Sequence, residues 1–247
     1  MQYLKLSIFV TFTVLSAVLY LAAALILFPW NQKIGPPLLQ LYSQAALKIL
    51  RVRIDAADRI PFDDLKNKGI ILTANHVSLL DILLMSALYR SIYLSKEEVK
   101  SYPLIGLVAR LIGVIFLKRE SPLDGRRVIK TIARNISGRI ITIFPQGTTG
   151  AIADRLPFKR GIFKALEINP EVILLPATIH YKEDSQIAWR RHQMLIDNLK
   201  AICALKIIHV KVTLHDPVSI EDYTDKTVSE VCAATQKKVL SPLWAEY

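Results

Sequence analysis

The sequence predicts a layered α/β domain, a mixed or largely parallel sheet flanked by helices, attached to an N-terminal membrane-embedded helix. Three observations lead there. One is a charge-free apolar run over residues 6–28; the second is a series of short apolar runs bounded by turn residues; the third is the alternation of those runs with helical patterns. At 247 residues the chain suffices for one core plus an anchor and is too short for two ordinary catalytic domains. Residues 1–40 read as anchor and turn, and 41–247 as the main domain.

The apolar run holds 23 residues, which as a helix would extend roughly 35 Å at about 1.5 Å per residue, against about 30 Å of bilayer hydrocarbon. Phe28, Pro29 and Trp30 follow it in place of a small-residue cleavage site, which favours a retained anchor over a signal peptide. Thr11, Thr13, Ser16 and Tyr20 weaken a span, so a helix that enters and turns back at Pro29 beside interfacial Trp30 is the alternative. Residues 31–37 look turn-rich. Over 38–52, Leu39, Tyr42, Ala46, Ile49 and Leu50 recur at helical spacing, as in a surface-lying or a core-facing helix. Lys33, Lys48, Arg51, Arg53 and Arg59 outnumber Lys5 and the amino terminus before the run, which places the main domain on the cytoplasmic side.

Beyond the anchor, runs 69–74, 112–117, 139–144, 172–179 and 207–214 read as strands, and 79–88, 123–136, 158–168, 187–205 and 227–240 as helices. The last opens with Thr227 and Glu230 in a capping box. Net charge is +11, and residues 118–160 carry ten Lys or Arg against three acids, so +7 of it is local. Such a patch suits anionic headgroups, a phosphorylated substrate or an acidic carrier protein; arginines without interleaved aromatics make nucleic acid the weaker partner. Cys203 and Cys232 form no CxxC pair and fit a reducing compartment. His180, His192, His209 and His215 lack metal-ligand spacing, so no metal is expected. No nucleophile elbow, phosphate-binding loop or dinucleotide fingerprint is present in the sequence.

The most informative segment runs from Ile71 through Asn75 and His76 to Asp81, where a strand ends and a helix begins. A His before the helix and an Asp in its first turn can meet because the chain doubles back there. His76 can then serve as general base while Asp81 fixes its tautomer and steadies the imidazolium, with the substrate's own hydroxyl as nucleophile. The plainer alternative is that Ser78 and Asp81 merely cap the helix.

Together with Gly113 through Arg119, Phe144 through Thr149, Pro157 through Gly161, and Leu175 with Pro176, this segment resembles the glycerophospholipid acyltransferase family, that of 1-acylglycerol-3-phosphate acyltransferases, in order and spacing. The resemblance covers roughly Leu50 to Val218. It implies His76 as base with Asp81, Arg119 and nearby basic residues at the acceptor's phosphate, and Gly147 and Thr148 shaping the acceptor site. The donors it implies are acyl carrier protein or coenzyme A thioesters, taken as substrates with no further cofactor.

The third block departs from the family's F-P-E-G-T-R: Gln146 replaces the Glu and Thr149 the Arg. Losing both removes an opposite pair rather than stranding one charge, so a neutral hydrogen-bonding loop is physically tolerable. Thr149 also resembles the acyltransferases that finish ornithine lipids, and Arg155, Lys159 or Arg160 can replace the missing cation. The expected activity is transfer of a fatty acyl group to a lysolipid at the membrane. The acceptor is 1-acylglycerol-3-phosphate in the first reading and lyso-ornithine lipid in the second, and a non-catalytic lipid-binding scaffold is the rival.

Overall fold

A computed structural model describes residues 2–26, 30–58, 68–118 and 121–244. The run at 69–74 lacks the polar alternation of a strand with one wet face, and it becomes β2 (Gly69–Ala74), buried along its whole length. It is the middle strand of a seven-stranded sheet of order β1-β7-β6-β2-β5-β3-β4. The other strands are β1 (Val52–Ala57), β3 (Ile92–Lys96), β4 (Ile115–Leu117), β5 (Ile140–Ile143), β6 (Val172–Tyr181) and β7 (Ile208–Leu214). β2 pairs in parallel with β5 on one side, Ile70 opposite Ile140, and with β6 on the other, Ala74 opposite Ala177. Of the strand pairs, β6 with β7 is antiparallel. A mixed, largely parallel sheet flanked by helices is therefore what forms.

The helices are α1 (Gln2–Ile26), α2 (Asn31–Ile49), α3 (Leu80–Tyr89), α4 (Ile105–Leu111), α5 (Pro122–Asn135), α6 (Leu195–Ala204) and α7 (Val228–Trp244). α2 packs on α3, α5 against β4, and α7 against β6. The α7 start carries the expected box: Thr227 N–H donates to Glu230 (2.7 Å), and Glu230 N–H to Thr227 Oγ1 (3.3 Å).

Three expectations give way. Residues 31–37 are helical rather than a turn, even though Pro36 and Pro37 lie inside α2, where each removes a backbone donor. The helix expected over 187–205 breaks into a turn (Asp184–Ile187) and α6. Between them Trp189 N–H is drawn to Val77 O (2.8 Å), while Asn198 receives Leu79 N–H (3.3 Å), so tertiary bonds override local propensity. The helix expected over 158–168 is a 3₁₀ segment (Arg160–Lys164) ending in one α turn (Ala165–Ile168).

α1 is long and apolar enough to cross a membrane by length and composition. Leu19 and Leu25 stand 70% and 84% exposed, an apolar face that no other part of the described chain covers. Its first half lies on the domain. Gln2 Nε2 donates to Lys200 O (3.0 Å), Lys5 Nζ to Leu205 O (2.8 Å), and Phe12 stacks on Tyr42 (5.4 Å). The possible turn at Pro29 lies outside the described residues.

Candidate active site

The site forms where β2 ends. Asn75, buried, locks that end to β6 with two bonds: its Nδ2 donates to Ile179 O (2.9 Å) and its Oδ1 accepts Ile179 N–H (2.8 Å). His76 follows, and its backbone is gripped from both sides by the loop after β5. His76 N–H donates to Gln146 Oε1 (2.6 Å), and Gly150 N–H donates to His76 O (3.1 Å). The imidazole stacks on Phe144 with ring centres 3.9 Å apart and planes 8° from parallel. These contacts leave the ring few ways to turn.

Asp81, the second residue of α3, is fully buried. Its Oδ2 lies 2.7 Å from His76 Nδ1 and also accepts Val77 N–H (2.6 Å) and Ser78 N–H (3.0 Å). One carboxylate oxygen thus binds the backbone at the helix start and the histidine ring together. A carboxylate on Nδ1 assigns the N–H to that nitrogen, which leaves the Nε2 lone pair free to accept a proton. His76 keeps 14% of its side chain exposed, enough for approach.

Gln146 is the hinge of the third block. While its Oε1 holds His76, its Nε2 donates to Leu156 O (3.3 Å). An amide satisfies both contacts, since one end accepts and the other donates. Gly147 sits at φ +72°, a conformation that favours glycine, and a Cβ there would lie 2.8 Å from Lys159 Nζ. Lys159 therefore lies across the loop, with its N–H donating to Pro145 O (2.8 Å). Thr148 and Thr149 are half-buried in the same loop. Arg160 is turned away, its guanidinium on Ser229 Oγ (3.3 Å) at the start of α7. Arg119 lies outside the described residues.

A slot beside His76 is lined by Gln146, Arg155, Leu240, Leu243 and Trp244, with Arg155 over the Trp244 ring at 5.2 Å. Its volume of about 10 Å³ gives room for roughly one water molecule. A wider hollow of about 490 Å³ lies elsewhere, lined by Glu97, Lys118, Asp124 and Arg127. Its charges already pair among themselves, Arg127 with Asp124 (2.6 Å) and Lys118 with Glu97 (3.5 Å), and His76 is not among the residues that line it.

Sequence reasoning thus singled out His76, Asp81, Gln146, Gly147 and Lys159, which the fold brings together, and Arg160, which it does not. The parts played by Phe144, Asn75 and the C-terminal Leu243 and Trp244 were missed. Phe144 was visible as the residue opening the third block, whereas the arrival of α7 at the site has no local signal.

Residues 51–180 match the family model described as acyltransferase. The 1-acyl-sn-glycerol-3-phosphate acyltransferase of Neisseria gonorrhoeae is 35% identical over 119 residues, 47% of this chain and 46% of the relative. The lyso-ornithine lipid O-acyltransferase of Pseudomonas aeruginosa is 38% identical over 112 residues, 45% and 43% of the two chains. That of Rhodobacter capsulatus is 27% identical over 217 residues, 83% and 75%. The chain spans about half the length of the first two relatives. The crystal structure of the 1-acyl-sn-glycerophosphate (LPA) acyltransferase of Thermotoga maritima shares the fold, with a TM-score of 0.65 at 19% identity over 99% of this chain and 97% of that one.

Proposed function

The chain belongs to the acyltransferase family, and on that premise we propose that it transfers a fatty acyl group from an acyl thioester to the hydroxyl of a lysolipid. The observation that carries this reading is the His76 and Asp81 pair at the end of the central strand, with Nδ1 held at 2.7 Å and Nε2 left for the substrate.

In the reaction His76 Nε2 removes the proton of the acceptor hydroxyl as that oxygen attacks the thioester carbonyl. The new C–O bond forms, the C–S bond breaks, and the imidazolium returns its proton to the departing thiolate. Asp81 steadies the imidazolium between those steps. General-base assistance of this kind contributes about 10²- to 10⁴-fold in rate. Phe144 against one face of the ring and the loop's grip on the His76 backbone support a fixed attack geometry.

The acceptor we favour is 1-acylglycerol-3-phosphate, its phosphate held by Arg119 with Lys159, which lies across the Gly147 turn. Arg160, bound to Ser229, has a smaller part in this than its position in the sequence implies. A specific feature favours the second reading, lyso-ornithine lipid: Thr149 stands where a second guanidinium is usual, and relatives of that name match the chain. The donor is an acyl carrier protein or coenzyme A thioester, and the +7 stretch over 118–160 suits the acidic character of either. Residues 1–40 serve as membrane anchor for the 41–247 domain, which faces the cytoplasm; the exposed apolar face of α1 supports the attachment.

The test is mass spectrometry of the lipids made by purified full-length protein given one acyl thioester and a panel of lysolipids. Phosphatidic acid from 1-acylglycerol-3-phosphate supports the first reading and ornithine lipid the second. Binding of lipid with no product from any member leaves the scaffold.

A further inference from the structure

Tyr102, Leu104, Ile105 and Leu107 are four large apolar side chains within six residues, and each is between 37% and 46% exposed. Beyond α2, the described residues hold eight exposed large apolar side chains, and half of them fall in this one turn. Scattered surface leucines need no explanation, whereas a contiguous patch marks a surface that something covers.

The patch is built to stand out. Pro103, Leu104 and Ile105 make a tight turn in which Ile105 N–H donates to Pro103 O (2.6 Å). Leu104 at its centre has φ +59° and ψ −55°, the rare and strained form of γ-turn. Arg110 braces the turn, its Nη2 donating to Lys100 O (3.1 Å) and its Nε to Gly106 O (3.4 Å). Gly106 packs so closely on the preceding 3₁₀ turn (Glu97–Ser101) that a Cβ there would collide with the Lys100 carbonyl. Backbone strain of this kind persists only where the surroundings over-determine it, and it clusters at functional sites. Here it holds a leucine at the surface on a rigid mount.

The neighbours of the patch select what covers it. α4 packs against both α1 and α2, and a Cβ on Gly35 of α2 would stand 2.9 Å from Ile112, the residue that closes α4. Leu38 and Leu41 of α2 are exposed as well, and α1 is long and apolar enough to cross a bilayer. A rigid apolar turn packed beside such a helix reaches the bilayer that the helix enters. A tyrosine among the leucines suits the headgroup level.

We propose that residues 102–107 are a second membrane contact, entering the headgroup and upper acyl region of the bilayer beside α1. One helix alone leaves the domain free to swing. A second, rigid contact fixes the tilt of the sheet against the bilayer, and with it the direction in which the end of the central strand β2 faces the lipid.

The experiment places an environment-sensitive dye on full-length Leu104→Cys reconstituted in phosphatidylcholine vesicles. Cys203 and Cys232 are buried, which directs the label to position 104. Lipids carrying a nitroxide near the headgroup end of the acyl chain should quench the dye about twofold or more, while iodide in the water quenches it little. If Leu104→Cys fails to fold, the same label on Leu107→Cys reads the exposed side of α4 instead. A dye that the nitroxide leaves unquenched in folded protein overturns the inference. Open to iodide, it shows that the turn stays in water; shielded from iodide as protein concentration rises, it assigns the patch to a second copy of the chain.

Discussion

Gln146→Glu restores the residue usual in the family and should nevertheless damage this protein. In the structure Gln146 accepts His76 N–H at 2.6 Å through Oε1 and donates to Leu156 O at 3.3 Å through Nε2. A glutamate keeps the first contact and turns the second into two acceptors facing each other, on a half-buried side chain with no arginine at 149 to neutralise it. Losing the donated bond costs roughly 1 kcal/mol, and the unsatisfied carboxylate oxygen about 1–2 more. At about 2–4 °C per kcal/mol for a chain this size, the melting temperature should fall by about 5–10 °C. The pH dependence has a definite sign. The protonated acid can donate to Leu156 O, so the fold raises this carboxyl's pKa and the native state binds more protons than the unfolded one. The deficit is therefore full at pH 8 and closes as pH falls toward 5. Because the residue grips His76, kcat should drop about tenfold as well. Thermal melts in detergent and initial rates give both quantities, and adding Thr149→Arg should recover part of each loss. A single variant that melts within about 1 °C of wild type and turns over at its rate would refute the clamp.

Arg119→Ala should raise KM for 1-acylglycerol-3-phosphate and lower kcat/KM roughly 30-fold, as for a lost charge-assisted contact of about 2 kcal/mol, while a zwitterionic lyso-ornithine acceptor should be far less affected; initial rates on both lipids decide. Full-length protein should sediment with membranes at low salt, deletion of residues 1–30 should weaken this, and the remainder should fall with rising salt; recovery of the full-length chain wholly in the supernatant refutes the anchor. His215 contacts Thr178 Oγ1 (2.8 Å), which in turn donates to Val239 O (2.7 Å), tying α7 to β6. Burial, then Lys238, lowers the His215 pKa from 6.5, so below that pH the unfolded chain binds the extra proton and stability declines. Melting temperatures from pH 8 to 5.5 should show a steeper loss in wild type than in His215→Gln.

Much of this fold was legible because period and burial agree. The short, largely apolar run at 69–74 reads as a strand covered on both faces, and it is the central one. β1 escaped notice because its sequence, Val-Arg-Ile-Asp-Ala-Ala, is that of an edge strand, with charges where a central strand would be apolar. At the site, the approach of His76 and Asp81 followed from a strand-to-helix turn, a local matter. The second role of Gln146 depends on Leu156 and on the backbone 70 residues earlier, a tertiary fact that spacing does not encode.

Whether His76 is the base is decided by acyl transfer to a lysolipid with purified wild type and His76→Ala, matched for folding by circular dichroism and melting temperature. Wild type should form product, and the variant should turn over at least about 10²-fold more slowly with its fold intact. Substantial turnover by a well-folded His76→Ala protein would contradict that role.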